Sequence, residues 1–379
     1  MHPIIIIGSG LAGYNTAREI RQHNLQIPIT MITQDGGAFY SKPLLSTSLA
    51  QLKSAESLMT MTADVMQEKL SLTILTHQTV VQINPQQQTI CLGDQALPYS
   101  SLVLALGADT PIPPVTGDAA NELLTINDVY QYQRFREQLQ TGFHVALIGA
   151  GLVGCELAND LCQSGHKVTC IDQANTALSQ LVPAAIGEAL QAALHEHGVS
   201  WQLGRRVTAV DRHHLQLRVC LDNATSLDAD IVVSATGLRP RIALAAASGI
   251  ETNRGIVVNE FLETNMPHVY ALGDCAELNG WLLPYVAPLM QEAKALGKTL
   301  TGEKTQVHFP IMPMSVKTTV YPITKYCPPS LTNPEWLIEY SPEGIRAKVF
   351  DTQSNLAGFI LTKETVKERA TMVSLLSRL

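Results

Sequence analysis

The stretch Ile4-Ile-Ile-Ile-Gly-Ser-Gly-Leu-Ala-Gly13 decides the fold of this chain of 379 residues. Its four apolar residues predict a buried strand, and its glycine loop precedes a helical pattern that runs from Leu11 to about His23. A second copy, Val145-Ala-Leu-Ile-Gly-Ala-Gly-Leu-Val-Gly154, also stands before a helical pattern. In such a unit the first glycine permits the tight turn, the second lets a pyrophosphate approach the backbone, and the third lets helix and strand pack closely. The chain therefore carries two predicted dinucleotide-binding units.

The order of the predicted elements indicates an α/β fold with two Rossmann-like dinucleotide-binding domains and a small C-terminal α+β domain. We place the first domain at 1–113, the second at 114–234, the remainder of the first at 235–304 and the C-terminal domain at 305–379. Late elements include predicted helices at Pro288–Leu300 and Lys363–Leu376 and a predicted strand near Trp336–Tyr340.

Composition narrows the function. A net charge of -7, with no basic aromatic-rich stretch, argues against binding to nucleic acid. No apolar run approaches the roughly 20 residues of a membrane span, and the N-terminus leads directly into a strand, so we expect a cytoplasmic protein without a signal peptide.

The seven cysteines contain no C-x-x-C pair, which predicts that they are reduced residues used for packing and that they form no metal site. From Lys304 onward, nine Lys and Arg stand against six Asp and Glu, either as ordinary surface composition or as a docking face for an acidic partner.

The end of the strand after each glycine loop selects the nucleotide. In the second unit that strand ends at Asp172, whose carboxylate would accept from ribose hydroxyls and repel a 2′-phosphate. No arginine follows within 173–177, which favours NADH over NADPH. In the first unit the strand ends at Thr33-Gln34, with Asp35 one position late, so ribose contacts there are less well defined.

Two further marks favour FAD at the first loop over a second nicotinamide nucleotide. Gly273-Asp274 ends a predicted strand, and its carboxylate could bond the ribitol chain of a flavin. The strand ends Leu104-Ala-Leu-Gly107 and Ser234-Ala-Thr-Gly237 resemble each other and suit chain crossings between the two nucleotide domains.

On these residues the chain resembles the two-dinucleotide flavoprotein reductases of the glutathione-reductase plan, and within them the bacterial rubredoxin–NAD(+) reductases. The resemblance is near full-length. The motifs that carry it are Tyr40-Ser-Lys-Pro-Leu-Leu-Ser46, Gly149-Ala-Gly-Leu-Val-Gly-Cys-Glu-Leu-Ala-Asn-Asp160, Gly237-Leu-Arg-Pro240, Asn253-Arg-Gly-Ile256, Tyr270-Ala-Leu-Gly-Asp-Cys-Ala-Glu277 and Met312-Pro-Met-Ser-Val-Lys317. It implies FAD and NAD(H) as cofactors and rubredoxin, a small acidic iron–sulfur protein, as the partner.

The resemblance also implies roles for single residues. Lys42 and Glu156 would meet near the flavin N5 and act as the catalytic pair, the lysine stabilising the reduced flavin and the glutamate holding the lysine. With the residues argued from the motifs themselves, the predicted cofactor-binding set is Gly8, Ser9, Gly10, Leu11, Ala12, Gly13, Thr33, Gln34, Lys42, Val80, Ala105, Gly107, Gly149, Gly151, Leu152, Val153, Gly154, Glu156, Asp172, Gly237, Gly273, Asp274, Val286 and Lys317.

The disulfide reductases of this plan carry a cysteine pair in the stretch that here reads Lys42-Pro-Leu-Leu-Ser-Thr-Ser48. Without cysteine there, electrons are expected to leave the flavin singly for an external acceptor, in support of alkane oxidation or of oxygen and peroxide defence. Three alternatives stay open: a flavorubredoxin reductase of nitric-oxide detoxification, a ferredoxin reductase of an oxygenase, and an NADH-binding redox sensor.

Overall fold

A computed structural model describes residues 2–331 and 333–376. The chain divides into two compact units, each built from three separate segments. The first unit comprises Met1–Lys42, Glu56–Asp109 and Leu238–Pro310, and the second unit comprises Pro43–Ala55, Thr110–Gly237 and Ile311–Leu379. The four predicted segments are finer than this division and stay a prediction.

The first unit contains a five-stranded parallel sheet with Ile4–Ile7 as its central strand. In spatial order its strands are Val269–Ala271, Ser101–Leu104, Ile4–Ile7, Ile29–Ile32 and Thr73–Leu75. The four isoleucines are at most 8% exposed, as expected for a parallel strand covered on both faces, and this explains their uninterrupted apolar run. Helix Leu11–His23 follows directly, so the predicted strand–loop–helix unit is confirmed.

The first unit also contains further helices and three smaller sheets. Helix Val286–Leu300 packs so closely on Leu11–His23 that a Cβ at Gly297 would overlap the side chain of Glu19. The other helices are Ala63–Leu70 and Ala243–Ala247, with Ala55–Leu58 spanning the division between the units. Smaller sheets are formed by Val80–Asn84, Thr89–Leu92 and Gln95–Pro98, by Ala108–Asp109 with Arg239–Pro240, and by Ile256–Val258 with Ala276–Leu278.

The second unit repeats the plan. Its parallel sheet has the spatial order Val199–Leu203, Lys167–Asp172, His144–Ile148, Ile231–Ser234 and Leu124–Thr125. An antiparallel sheet of Val207–His213, Gln216–Leu221 and Ser226–Ala229 follows in the chain. The helices of this part are Val129–Gln138, Leu152–Gln163 and Ala184–Glu196. The second predicted strand–loop–helix unit is therefore confirmed as well.

The C-terminal part of the second unit is a five-stranded antiparallel sheet with a terminal helix. Its strands, in spatial order, are Met314–Val316, Ile323–Tyr326, Leu356–Thr362, Gly344–Phe350 and Leu337–Ser341. The predicted helix Lys363–Leu376 is only in part an α-helix, because Lys363–Glu368 is a 3₁₀ turn and the α-helix is Arg369–Leu376. Thr362 and Thr365 form a capping box that closes this tight first turn.

Candidate functional site

Each glycine of the first loop has a distinct environment. Gly8 has φ +115°, and a Cβ there would overlap the carbonyl oxygen of Ala105; one at Gly13 would overlap the carbonyl oxygen of Gly8. A Cβ built at Gly10 would meet no described atom within 4 Å. The first and third glycines therefore allow the chain to pack on itself, and the second leaves space over the start of helix Leu11–His23.

The second loop repeats this geometry. Gly149 has φ +115° and faces the carbonyl oxygen of Ala235, and a Cβ at Gly154 would overlap the carbonyl oxygen of Gly149. Around Gly151, the described part of the chain again leaves 4 Å of free space. The first helical turns, which include Ala12 with Leu11 and Val153 with Leu152, contain no acidic residue. Both helix N-termini thus offer a positive dipole end and backbone N–H groups to an anion such as a pyrophosphate.

The strand ends beside the two loops also match. Gly107 and Gly237, each two residues beyond the alanine that faces the loop, have φ +71° and +105°. A Cβ at either would meet no described atom within 4 Å, so both backbones border open space.

In the first unit, a hydroxyl network ties the loop to a carboxylate. Ser9 Oγ donates to Thr33 Oγ1 over 2.8 Å, and Thr33 Oγ1 donates to Asp35 Oδ1 over 2.8 Å. The same Asp35 oxygen accepts from Gly37 N at 2.8 Å. Gln34, between them, is exposed. The structure thus places at Asp35 the acidic group that the sequence did not show at the strand end, and it buttresses the glycine loop.

In the second unit, Asp172 is fixed by backbone donors. Its Oδ2 accepts from Ala150 N at 2.6 Å and its Oδ1 from Ala174 N at 2.8 Å. Ala150 belongs to the glycine loop, so the carboxylate is held at the loop itself. This is the position from which a ribose would be bound.

Asp274 lies beside the first glycine loop and pairs with Lys42. It follows Gly273, which has φ +73° and at which a Cβ would lie 3.0 Å from the side chain of Ala12. Lys42 Nζ is 3.5 Å from Asp274 Oδ2, and both side chains are partly exposed, at 34% and 20%. A cation and a carboxylate therefore face solvent-accessible space at the loop.

Behind this turn lies a buried carboxylate that the sequence analysis missed. Glu292, on helix Val286–Leu300, accepts from Gly273 N at 2.7 Å through its Oε2 and is 3% exposed. Burial raises the pKa of Glu292 to about 7, with a smaller contribution from Asp274 that acts in the same direction. In the sequence, Glu292 is one charged residue of a helical pattern, at helical spacing from Leu289 and Leu296, and nothing distinguishes it from a charged residue at the surface of a helix.

Glu156, on helix Leu152–Gln163 of the second unit, is a buried carboxylate with two hydrogen-bond donors. It is 3% exposed, and its Oε2 accepts from Ser46 Oγ at 2.6 Å. Its Oε1 accepts from Lys317 N at 3.0 Å, and Lys317 Nζ lies 3.7 Å from Oε2. Lys317 Nζ also donates to Pro43 O at 2.6 Å. Glu156 therefore links the Pro43–Ala55 segment to Lys317.

One helical turn further, Asp160 holds the same segment. Its oxygens accept from Leu49 N at 2.7 Å and Ala50 N at 3.0 Å, and burial raises the pKa of its carboxyl. Carboxylates at i and i+4 on helix Leu152–Gln163 thus face one segment of the chain. Ser46 and Asp160 belong to the sequence motifs, but only these contacts assign each of them a role.

Several predicted site residues keep the status of predictions. Lys42 lies in the first unit and Glu156 in the second, and each has its own partner there, so their predicted pairing with each other stays a prediction. Val80 is a buried strand residue, and Val286 is the exposed first residue of its helix.

Other expectations concern cysteine, metal and membrane. All seven cysteines are free, and burial raises the pKa of Cys275 to about 12. Across 2–331 and 333–376, no group of three or more His, Cys, Asp and Glu is arranged to hold a metal ion. Over the same residues, no helix is both long and apolar enough to cross a membrane.

Much of the positive charge of the C-terminal part is paired within the chain. Arg346 lies 2.5 Å from Glu368, and Lys348 lies 3.1 Å from Glu339. Lys317 pairs with Glu156, as described above. The docking face for an acidic partner stays a prediction.

Comparison with known families gives two matches. Residues 2–297 match the family Pyridine nucleotide-disulphide oxidoreductase, and residues 306–376 match the Rubredoxin binding C-terminal domain. Together they span the two glycine loops and the antiparallel sheet of the C-terminal part.

Individual relatives align over nearly the whole chain. A Rubredoxin-NAD(+) reductase of Acinetobacter baylyi is 43% identical over 99% of this chain and 98% of its own length, and one of Alcanivorax borkumensis is 42% identical over 97% of each. A Nitric oxide reductase FlRd-NAD(+) reductase of Vibrio vulnificus is 36% identical over 99% and 98%. The reductase chain in the crystal structure of the covalent putidaredoxin reductase–putidaredoxin complex has the same fold, with a TM-score of 0.90 at 24% identity over 100% and 94%.

Proposed function

The chain belongs to the pyridine nucleotide-disulphide oxidoreductase family, and from this premise we propose that it is an FAD-dependent NADH:rubredoxin oxidoreductase. The observation that carries the proposal is the match of 306–376 to a rubredoxin-binding domain. In addition, 97–99% of the chain aligns with proteins named Rubredoxin-NAD(+) reductase.

We assign FAD to the first glycine loop and NADH to the second. The space over Gly10, the Ser9–Thr33 network and the Gly273-Asp274 turn packed on Ala12 support a flavin dinucleotide in the first unit. In the second unit, the space over Gly151 and the fixed carboxylate of Asp172 support a nucleotide with free ribose hydroxyls. The full predicted set of cofactor-binding residues is part of this proposal.

When bound, FAD would supply the redox chemistry that connects NADH, a two-electron donor, to rubredoxin, a one-electron acceptor. The protein supplies position and charge. Lys42, paired with Asp274 beside the first glycine loop, would supply a positive charge that stabilises negative charge developing on a flavin bound there. Glu156 orients Lys317 and fixes Ser46, so that the Pro43–Ala55 segment keeps one geometry.

The cysteine pattern supports direct transfer to an external acceptor. The stretch between Tyr40 and Ala55 contains no cysteine. Cys155, directly before Glu156 in the chain, is buried. Burial raises the pKa of its thiol, so the thiol stays protonated and does not act as a nucleophilic thiolate. We therefore propose no thiol relay in this enzyme.

A flavorubredoxin reductase is the second candidate function, favoured by the 36% identity with the Vibrio vulnificus relative. The acceptor test is NADH-driven reduction of rubredoxin, a flavorubredoxin and a ferredoxin by the FAD-loaded chain at several salt concentrations. We expect rubredoxin to be reduced fastest, with a rate that falls as salt rises. A higher rate with ferredoxin would overturn the proposal. Flavin reduction by NADH that is too slow to sustain turnover would favour the redox sensor.

A further inference from the structure

An arginine that is distant in sequence lies beside Asp172. Arg205 follows strand Val199–Leu203, the parallel neighbour of the strand that Asp172 ends. Arg205 N donates to Asp172 O at 2.9 Å, and Gly204 N donates to Ala174 O at 2.9 Å. The chain that leaves strand Val199–Leu203 is thus hydrogen-bonded to the last residue of the neighbouring strand and to the turn after it.

The two side chains are held very differently. The Asp172 carboxylate is fixed by Ala150 N and Ala174 N. Arg205 is exposed, and its guanidinium donates to Gly204 O, one residue away, at 3.0 Å. Gly204 is itself constrained, since it has φ +64° and a Cβ there would lie 2.7 Å from Asn175 Oδ1. A fixed anion and a cation on a long, exposed side chain therefore lie at the ends of two neighbouring parallel strands.

We infer that Arg205 is a specificity-determining residue of the nucleotide site. Its guanidinium can bind an adenosine 2′-phosphate, and the Asp172 carboxylate prevents this binding because it repels the phosphate. This rests on the proposed assignment of NADH to the second glycine loop. A carboxylate at that strand end repels a 2′-phosphate, whereas a guanidinium binds phosphate through charge-assisted, often bidentate hydrogen bonds. Discrimination against NADPH is then carried by the single carboxylate of Asp172.

With Arg205 at this position, a change of specificity from NADH to NADPH needs fewer substitutions than the sequence suggests. The sequence after Asp172 contains no arginine in 173–177, which suggests that NADPH use requires a new arginine there. The structure supplies the arginine from the adjacent strand. Removing the carboxylate should therefore be sufficient, and the gain should depend on Arg205.

The test compares Asp172→Ser, Arg205→Gln and the double variant in the FAD-loaded chain. The readout is the dissociation constant of adenosine 2′,5′-bisphosphate by calorimetry, with ADP as the ligand that lacks the 2′-phosphate. We expect Asp172→Ser to bind the bisphosphate about ten- to hundredfold more tightly, and the double variant to lose most of this gain. ADP affinity should not rise.

Arg206→Gln is the matched control, because it removes the same charge one residue further along. Arg206 is 71% exposed and pairs with Asp222 at 3.6 Å. In the Asp172→Ser background it should change bisphosphate affinity by less than about twofold. If Arg205→Gln has no larger effect than Arg206→Gln, the inference is wrong.

A further arm keeps the inference testable if Asp172→Ser does not fold. Asp172→Asn removes the same charge while keeping one of the two side-chain acceptors for Ala150 N and Ala174 N, so it should also bind the bisphosphate more tightly. If Arg205→Gln, added to Asp172→Asn, removes no more of this gain than Arg206→Gln does, the inference is wrong. Failure of the proposed function is distinguishable, because it would appear as an unmodified chain whose flavin NADH does not reduce, whatever the bisphosphate results.

Discussion

Replacing Glu156 by Gln or by Ala separates the charge of this carboxylate from its hydrogen bonds. Gln has nearly the same shape, and its carbonyl oxygen can accept from Lys317 N while its amide donates to Ser46 Oγ, whose hydroxyl can reverse its role. Ala removes both interactions and leaves the Lys317 N–H without its acceptor.

The magnitudes follow from these contacts. Glu156→Ala loses one buried and one partly buried hydrogen bond, at about 1–3 kcal/mol each, and creates a small cavity, so the free energy of unfolding should fall by about 2–6 kcal/mol. Glu156→Gln keeps both bonds and loses only the 3.7 Å ion pair with the partly exposed Lys317, so the loss should stay below about 1 kcal/mol.

Urea unfolding of the FAD-loaded chain, followed by flavin and protein signals separately, measures the stability. Stopped-flow reduction by NADH measures the function. We expect flavin reduction to slow by less than about tenfold in Glu156→Gln, because Pro43 O still holds Lys317 Nζ. In Glu156→Ala we expect it to slow by about a hundredfold, because the Pro43–Ala55 segment loses the contact that fixes its position. Equal destabilisation by the two substitutions would refute the reasoning.

Three further changes test other parts of the site. Lys42→Ala should slow flavin reduction or lower the flavin potential, measured by stopped flow and redox titration, while stability falls by less than about 1 kcal/mol because its pair with Asp274 is partly exposed; an unchanged rate and potential would remove Lys42 from the site. Gly10→Ala should fold but bind FAD at least about tenfold more weakly, whereas Gly8→Ala should fail to fold because its Cβ overlaps a carbonyl oxygen, and equal solubility with equal FAD content would contradict this. Burial raises the pKa of Glu292 from 4.5 to about 7, so the folded chain retains a proton that the unfolded chain releases, and stability should fall by up to about 3 kcal/mol as pH rises through that window. Glu292→Gln should remove this fall in urea unfolding at about pH 5 and about pH 8, and a fall that persists in the variant would assign it to another group.

Most of the architecture could be predicted, because its signals are local. The apolar runs before Gly8 and Gly149 and the helical periodicity after them each lie within about 20 residues of sequence. Errors are confined to places where local patterns are ambiguous, as at Lys363–Glu368, where a capping box tightens what periodicity described as helix.

The partners of the charged groups could not be predicted in the same way. Glu156 is separated from Ser46 by 110 residues and from Lys317 by 161, and the Ser9–Thr33 contact joins residues 24 apart. No periodicity relates such residues, since their proximity depends on which segments the two units enclose. Asp35 illustrates this. It stands one position after the expected strand end in the sequence, yet its carboxylate accepts from Thr33, which in turn accepts from Ser9 of the glycine loop.

The sequence by itself determined the two glycine loops, each between a strand and a helix, and it predicted a free ribose at Asp172 and electron transfer without a cysteine relay, because each depends on residue types at fixed spacing. Only the tertiary structure decided which groups hold Lys42, Lys317 and Glu156, and that an arginine lies at the end of the strand beside Asp172. The physical reason is that glycine conformation and apolar periodicity act within one element, whereas buried charges are satisfied by donors that chain crossings bring together.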